Sequence, residues 1–271
     1  MRSRKPLYPY LVWMALFVIV PLGMVVYYAF TDSATGTFTF GNFQRFVLDD
    51  VFLSVCLNSL KTAFLSTSIC LIIAYPFAYL LSRMKARTQT MLNMLVMVPM
   101  WMNFILRICA WQVILDNNGL LNRLFELMGL GKANLLNTET AVILGMVYNF
   151  LPFMIIPIYN VMAKIPDSLL EASRDLGCNG FQMFRRVILP LSVPGIVSGV
   201  TMVFVPAAST MVIGPRLGSY DLIGDSINQY IIGTAHNVNA GSMLSLVLMI
   251  IILISMAIMN RVDSGDDAVI L

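Results

Sequence analysis

Residues 171–190 read EASRDLGCNGFQMFRRVILP, a charged segment set between two of the most apolar stretches of the chain. Pro166 ends the register of the apolar stretch before it. Ser168 and Glu171 have the spacing of a capping box, in which the acidic side chain reaches back to the start of its helix. Leu169, Ala172, Ser173 and Leu176 are expected on one face of that helix, with Glu171, Arg174 and Asp175 on the other. Gly177 supplies a left-handed stop. Asn179 is suited to cap a second helix whose apolar face is Phe181, Phe184 and Ile188, and Pro190 is expected to end it. The reading is two short amphipathic helices meeting at a sharp angle over residues 166–190. Such an elbow fits a groove on another protein. A hairpin resting on lipid headgroups would use the same residues.

What flanks the elbow decides the fold class. The chain has 271 residues, of which 58% are hydrophobic and 11% charged, and its mean hydropathy is +0.81. Soluble domains carry about 25% charged residues. An all-α polytopic membrane protein follows, because only structures that satisfy their own backbone can cross lipid. Six transmembrane helices are expected near 10–30, 57–81, 91–115, 140–163, 190–213 and 241–260. The whole of residues 1–271 reads as one transmembrane domain, with a core at 57–260. Arg2, Arg4 and Lys5 precede the first span, whose apolar run is too long for a signal peptide and is followed by no cleavage motif.

The cations set the orientation. With a cytoplasmic N-terminus, Arg2, Arg4, Lys5, Arg83, Lys85, Arg87, Lys164, Arg174, Arg185, Arg186 and Arg261 fall inside. Arg45, Lys61, Arg107, Arg123, Lys132 and Arg216 fall outside or in the outer half, giving 11 against 6. Both termini are therefore expected in the cytoplasm. Pro21, Pro76, Pro99, Pro152, Pro157 and Pro206 sit within spans, as packing kinks or as the bends that open a cavity. A net charge of +3 gives no reason to invoke nucleic acid.

Other motifs carry less. Residues 117–132 place Leu121, Leu124, Phe125 and Met128 at helical spacing, as in a short interfacial helix. The GLGK at 129–132 lacks the earlier glycine of a phosphate-binding loop and is followed by Ala133, so no nucleotide motif is present. Cys56, Cys70, Cys109 and Cys178 show no metal-like spacing. His236 is the only histidine, so no metal site or catalytic base is expected of it.

The elbow also carries a resemblance. Glu171, Ala172, Ser173, Gly177, Val187, Leu189 and Pro190 reproduce the spacing of the EAA-x3-G-x9-I-x-LP loop of bacterial ATP-binding-cassette importer permeases, with Ser173 and Val187 as size-conserving departures. VPMWMNFILRICAW at 98–111, NNGLLNRLFELMGL at 117–130, LPFMIIPIYNVM at 151–162 and ILPLSVPGI at 188–196 are together similar to the first permease subunit of spermidine/putrescine importers. The likeness is weakest at 31–54 and 207–222. It implies a type I importer transmembrane domain in which Glu171, Ala172, Ser173, Arg174, Gly177, Leu189 and Pro190 couple to a cytoplasmic ATPase dimer. It further implies a second, homologous permease subunit and an extracytoplasmic polyamine-binding protein. ATP and magnesium would belong to the ATPase, with no cofactor in this chain.

A polycationic cargo would be met by carboxylates, carbonyl oxygens and aromatic faces. Candidates along its path are Trp101, Asn103, Trp111, Asp116, Tyr148, Asn149, Asp221 and Asp225. The aromatic residues equally fit the interfacial belts common to membrane proteins. Arg107, about 12 Å inside the end of the third span at 1.5 Å per residue, would repel such a cargo. A structural or gating ion pair with Asp116 is expected of it instead. An intramembrane enzyme would need a nucleophile–base pair or a metal cluster, and a secondary transporter would need inverted repeats and intramembrane acids. Neither pattern is evident.

Overall fold

The computed structural model describes residues 7–33, 35–234 and 236–266, so Arg2, Arg4 and Lys5 lie outside the described residues. The first span is α1 (Leu7–Met14), a π turn (Ala15–Ile19) and α2 (Val20–Ala29). The wide turn has a local cause. Pro21 brings no N–H and a ring that clashes four residues back, at Phe17, and a π turn opens the helix there. A short surface helix, α3 (Gly41–Leu48), leads to α4 (Asp50–Ser82), which begins where the Asp49 carboxylate accepts the Val51 N–H at 3.0 Å.

The third span is not one rod. Helix α5 (Ala86–Met97) tightens into a 3-10 turn (Val98–Trp101), breaks, and resumes as α6 (Phe104–Leu115) and α7 (Leu120–Leu127). The two parts meet at 90°. Pro99 cannot donate to the ladder, and the Asn103 side chain accepts from Ile105 N at 2.8 Å and Leu106 N at 3.4 Å, which starts a new helix in a new direction. The expected continuous helix at 91–115 is thereby corrected to a broken one. Arg107 is one turn into the second part rather than deep in a straight span.

Helix α8 (Glu139–Met162), capped by Thr138 Oγ1, leads to α9 (Asp167–Asp175). Then follow α10 (Gly180–Met183), a π turn (Phe184–Ile188) and α11 (Leu189–Ala208). Two short helices, α12 (Ile213–Leu217) and α13 (Ile223–Ile231), precede the last span, α14 (Val238–Asp266).

Ion pairs fix the parity of crossings. Lys61 Nζ lies 2.8 Å from Glu139 Oε1, and Arg83 Nη1 lies 2.8 Å from Asp167 Oδ1. The first pair joins the early part of α4 to the start of α8. The second joins the residue that follows α4 to the residue where α9 begins. Helices α4 and α8 therefore run parallel, and the broken segment between them makes one net crossing. With Pro9–Ala29, Asp50–Ser82, Glu139–Met162, Gly180–Ala208 and Val238–Arg261, the crossings number six. The ends of the described residues, Leu7 and Asp266, then lie on the same face as the elbow.

The core is built by α4, α8 and α11. Ala63, Ser66, Cys70, Ala74 and Ala78 form a buried stripe of small side chains on α4, which lets neighbouring backbones approach closely. Gly195 and Gly199 do the same on α11: a Cβ at Gly195 would sit 3.0 Å from Pro157 O, and one at Gly199 would sit 2.8 Å from Met154 Sδ. The first span lies apart from this core and packs against α14, where Asn239 Nδ2 donates to Thr31 O at 2.7 Å.

Candidate functional site

The elbow departs from expectation in three places. Helix α9 starts at Asp167, so Ser168 falls inside the first turn and the N-cap position is Pro166, which has no side-chain acceptor. The expected Ser168–Glu171 capping box is absent. The buried face is Leu170 with Ser173, whereas Leu169 and Leu176 are exposed, Leu176 at 86%. The Asp167–Arg83 contact and the tight turn after α8 set the rotation of α9, and residue spacing alone does not encode that rotation.

The bend itself forms as read from the sequence. Gly177 has φ +82°, its N–H donates to Arg174 O at 2.8 Å, and Cys178 N–H donates to Ser173 O at 3.1 Å. These paired bonds are a Schellman stop. Asn179 Oδ1 then accepts the Gln182 N–H at 2.8 Å while Gln182 Oε1 accepts the Asn179 N–H at 3.0 Å. The helix so capped does not end at Pro190. It runs on through the π turn, whose widened ring accommodates the proline, and Gly180–Ala208 is one helix of 29 residues. Leu189 and Pro190 are therefore the first residues of α11, and the second arm of the elbow is the inner end of the fifth span.

The tip thus presents Leu176 and Phe181, both strongly exposed, on either side of Gly177, with the exposed charges of Glu171 and Arg174 beside them. Ala172 is exposed and Ser173 is buried, its Oγ donating to Leu170 O at 2.7 Å. A mixed apolar and charged knob of this kind is suited to a protein cleft.

The cargo-path candidates separate into groups. Trp101, 81% exposed, and Asn103 stand at the break of the third span. Trp111 and Tyr148 meet edge to face at 5.4 Å between ring centroids. Asp116 Oδ1 accepts the Asn118 N–H at 2.9 Å in a turn before α7. Asn149 is buried in α8, with Nδ2 donating to Gly145 O at 2.7 Å and Oδ1 unpartnered. Asp221 accepts from Gln229 Nε2 at 3.0 Å. Arg107 is buried with its guanidinium 5.8 Å from the Phe104 ring, and its Nε and Nη1 have no hydrogen-bond partner. No ion pair joins it to Asp116 among the described residues.

Asp225 is buried, and its carboxylate is fully engaged by backbone: Oδ1 accepts from Val212 N at 2.5 Å and Oδ2 from Leu222 N at 3.1 Å. Burial pushes this carboxyl above the usual carboxylate range. The two N–H groups pull it back, and neighbouring Asp221 adds to the upward push. These bonds hold Val212 at φ +82° and pin the 209–222 segment to α13. Asp225→Ala strands both donors, at about 1–3 kcal/mol each when buried, so a lower melting temperature of the detergent-solubilised protein is expected.

Charge placement in the sequence marks Arg83 only as an inward cation. Its contact with Asp167 lies 84 residues away in the chain, beyond the reach of any local motif.

Residues 67–265 match the family described as binding-protein-dependent transport system inner membrane component. The chain is 39% identical over 213 residues to the spermidine/putrescine transport system permease protein PotB of Haemophilus influenzae, covering 76% of this chain and 74% of that one. To PotB of Escherichia coli strain K12 it is 36% identical over 224 residues, covering 79% and 81%. In fold it is similar to a solved bacterial ABC transporter involved in the import of the acidic polysaccharide alginate, with a TM-score of 0.78, 18% identity, and 95% and 94% coverage. The match takes in four complete spans, the elbow and the outer helices between them. The chain belongs to the family of inner membrane components of binding-protein-dependent transport systems.

Proposed function

We propose that this chain is one transmembrane half of an ATP-driven importer for spermidine- and putrescine-type polyamines, acting as a single domain over residues 1–271. The observation that carries the reading is the exposed elbow at 166–190, on the same face as Leu7 and Asp266 and continuous with the fifth span through α11. An ATPase dimer would seat the Gly177 knob, with Leu176 and Phe181 filling its cleft and Glu171 and Arg174 making polar contacts. ATP and magnesium belong to that partner.

A second, homologous permease would complete the path. The span Pro9–Ala29 has no buried residue across its apolar window, and the broken third span leaves unwound backbone around Met102. Irregular backbone at membrane depth is tolerated only against protein or water. The break also aims the carbonyl end of α5 and its 3-10 turn at the space beside Trp101. Helix C-termini carry partial negative charge, and transporters use such ends to hold cations. An aromatic face beside a helix C-terminus matches a flexible polyammonium chain delivered by a polyamine-binding protein outside. Tyr148 and Trp111 continue the path on the α6–α8 side, with Asp116 and Asp221 at its outer end; Asn149, buried in α8, is not on it.

The test is uptake of labelled spermidine by proteoliposomes holding this chain, its permease partner, the ATPase and the binding protein. ATP-dependent uptake, competed by putrescine, is expected. Uptake without the ATPase, or ATP-dependent uptake of a different solute class only, would overturn the assignment. Trp101→Ala should lower spermidine uptake by about 2- to 30-fold, the range of a cation–π contact, while Trp101→Phe retains more of it.

A further inference from the structure

The elbow's two arms differ in how they join the spans. The second arm is one helix with α11 and transmits displacement by its own stiffness. The first arm, α9, follows a non-helical turn at 163–166, and Leu170 and Ser173 are its only buried residues. A push on the tip would be absorbed in that turn unless something holds the near end of α9.

Arg83 is placed to do so. Its Nη1 donates to Asp167 Oδ1 at 2.8 Å and to Ile165 O at 3.3 Å, gripping the turn and the first residue of α9. The guanidinium lies 5.8 Å from the Tyr79 ring one helical turn earlier on α4, which steadies it from the span side. Its Nε and Nη2 are buried and unpartnered, so no competing acceptor draws the side chain away from Asp167. Gln89 of α5 stitches the next elements to the same point. Its Nε2 donates to Ser82 O at 3.1 Å and Met84 O at 2.8 Å, while its Oε1 accepts from Tyr159 Oη of α8 at 3.0 Å. The inner ends of α4, α5 and α8 and the start of α9 are thereby drawn together around Arg83.

We infer that Arg83 is a positioning residue that latches the first arm of the elbow, through Asp167, to the joined inner ends of α4, α5 and α8. The latch makes a displacement of the knob move these three elements together with α11, rather than α11 alone. This inference rests on the importer reading. The ion pair contributes little as energy, since Asp167 is 82% exposed. Its value is geometric.

The test compares Asp167→Asn, Arg83→Gln and the exchanged pair R83D/D167R in the complete reconstituted complex. ATP hydrolysed and spermidine imported are measured in the same vesicles. Asp167→Asn removes an exposed charge and leaves packing alone, so it decides the matter even where Arg83→Gln lowers the yield of folded complex. Both single variants should raise the ATP consumed per spermidine imported by about two- to fivefold, the scale of an exposed ion pair, and the exchange should bring the ratio back towards the unmodified value. A purely structural loss would lower both rates together and leave the ratio unchanged. An unchanged ratio in the single variants, or a raised ratio that the exchange does not relieve, overturns the latch. Absence of ATP-driven spermidine uptake in the unmodified complex would instead sink the importer reading itself.

Discussion

Gly177→Val is expected to cut ATP-driven uptake by at least about tenfold while the chain still inserts and its partners still hydrolyse ATP. The position has φ +82°, and a Cβ added there meets nothing within 4 Å. Steric crowding with neighbours is therefore not the reason. The cost is conformational: a left-handed residue with a branched Cβ is disfavoured by about 1–2 kcal/mol or more, and escape from it breaks the paired bonds from Gly177 and Cys178 that set the angle between the arms. Because Leu176 and Phe181 flank this residue, a change of a few tens of degrees misplaces the knob. Glu171→Lys serves as a companion. Its side chain is exposed, so a loss of uptake without a loss of folded protein reports the cleft contact directly. Hydrolysis and uptake measured side by side in proteoliposomes decide the outcome, and normal coupling in both variants would remove the elbow from the mechanism.

Gly195→Ala should destabilise the fold more than Gly199→Ala, although the two lie one turn apart on the same helix. At Gly195 the added methyl meets Pro157 O at 3.0 Å and Ile158 Cα at 3.1 Å, both backbone atoms that cannot move without shifting α8. At Gly199 its nearest neighbour is the Met154 sulfur at 2.8 Å, on a side chain with rotatable bonds, and a single backbone atom, Met154 O, follows at 3.2 Å. Overpacking of this kind costs about 1–3 kcal/mol, and Gly195 should fall at the upper end of that range. Gly23→Ala, where nothing lies within 4 Å, is the neutral control. Thermal unfolding of the solubilised protein measures all three. Equal effects at Gly195 and Gly23 would show that α8 and α11 do not meet as described.

The elbow shows how far local chemistry reaches. Gly177 and Asn179 were legible because a left-handed stop and a side-chain cap depend on the residues within a turn or so of themselves. The break in the third span carried a signal as well, in Pro99 followed four residues later by Asn103. Strong hydropathy on both sides of that signal favoured a single rod, because apolarity reports a preference for lipid and says nothing of direction. Pro190 misled for a related reason: a proline is a stop only where the helix cannot widen, and the π turn at Phe184–Ile188 widens it. Among the cargo-path residues, spacing could group none. Trp111 meets Tyr148 only because α6 folds back against α8 after the break.

By itself the sequence determined the all-helical membrane class, where the apolar spans lie, and the residues at the elbow's bend. Hydropathy, charge placement and backbone sterics are local quantities that each residue carries wherever it is packed. Tertiary structure alone decided which face of α9 turns inward, where the third span breaks direction, that the elbow's second arm is part of α11, and that Arg83 holds Asp167. Those outcomes depend on rotations about helix axes and on contacts across tens of residues, where small packing differences choose among arrangements that the same local preferences allow.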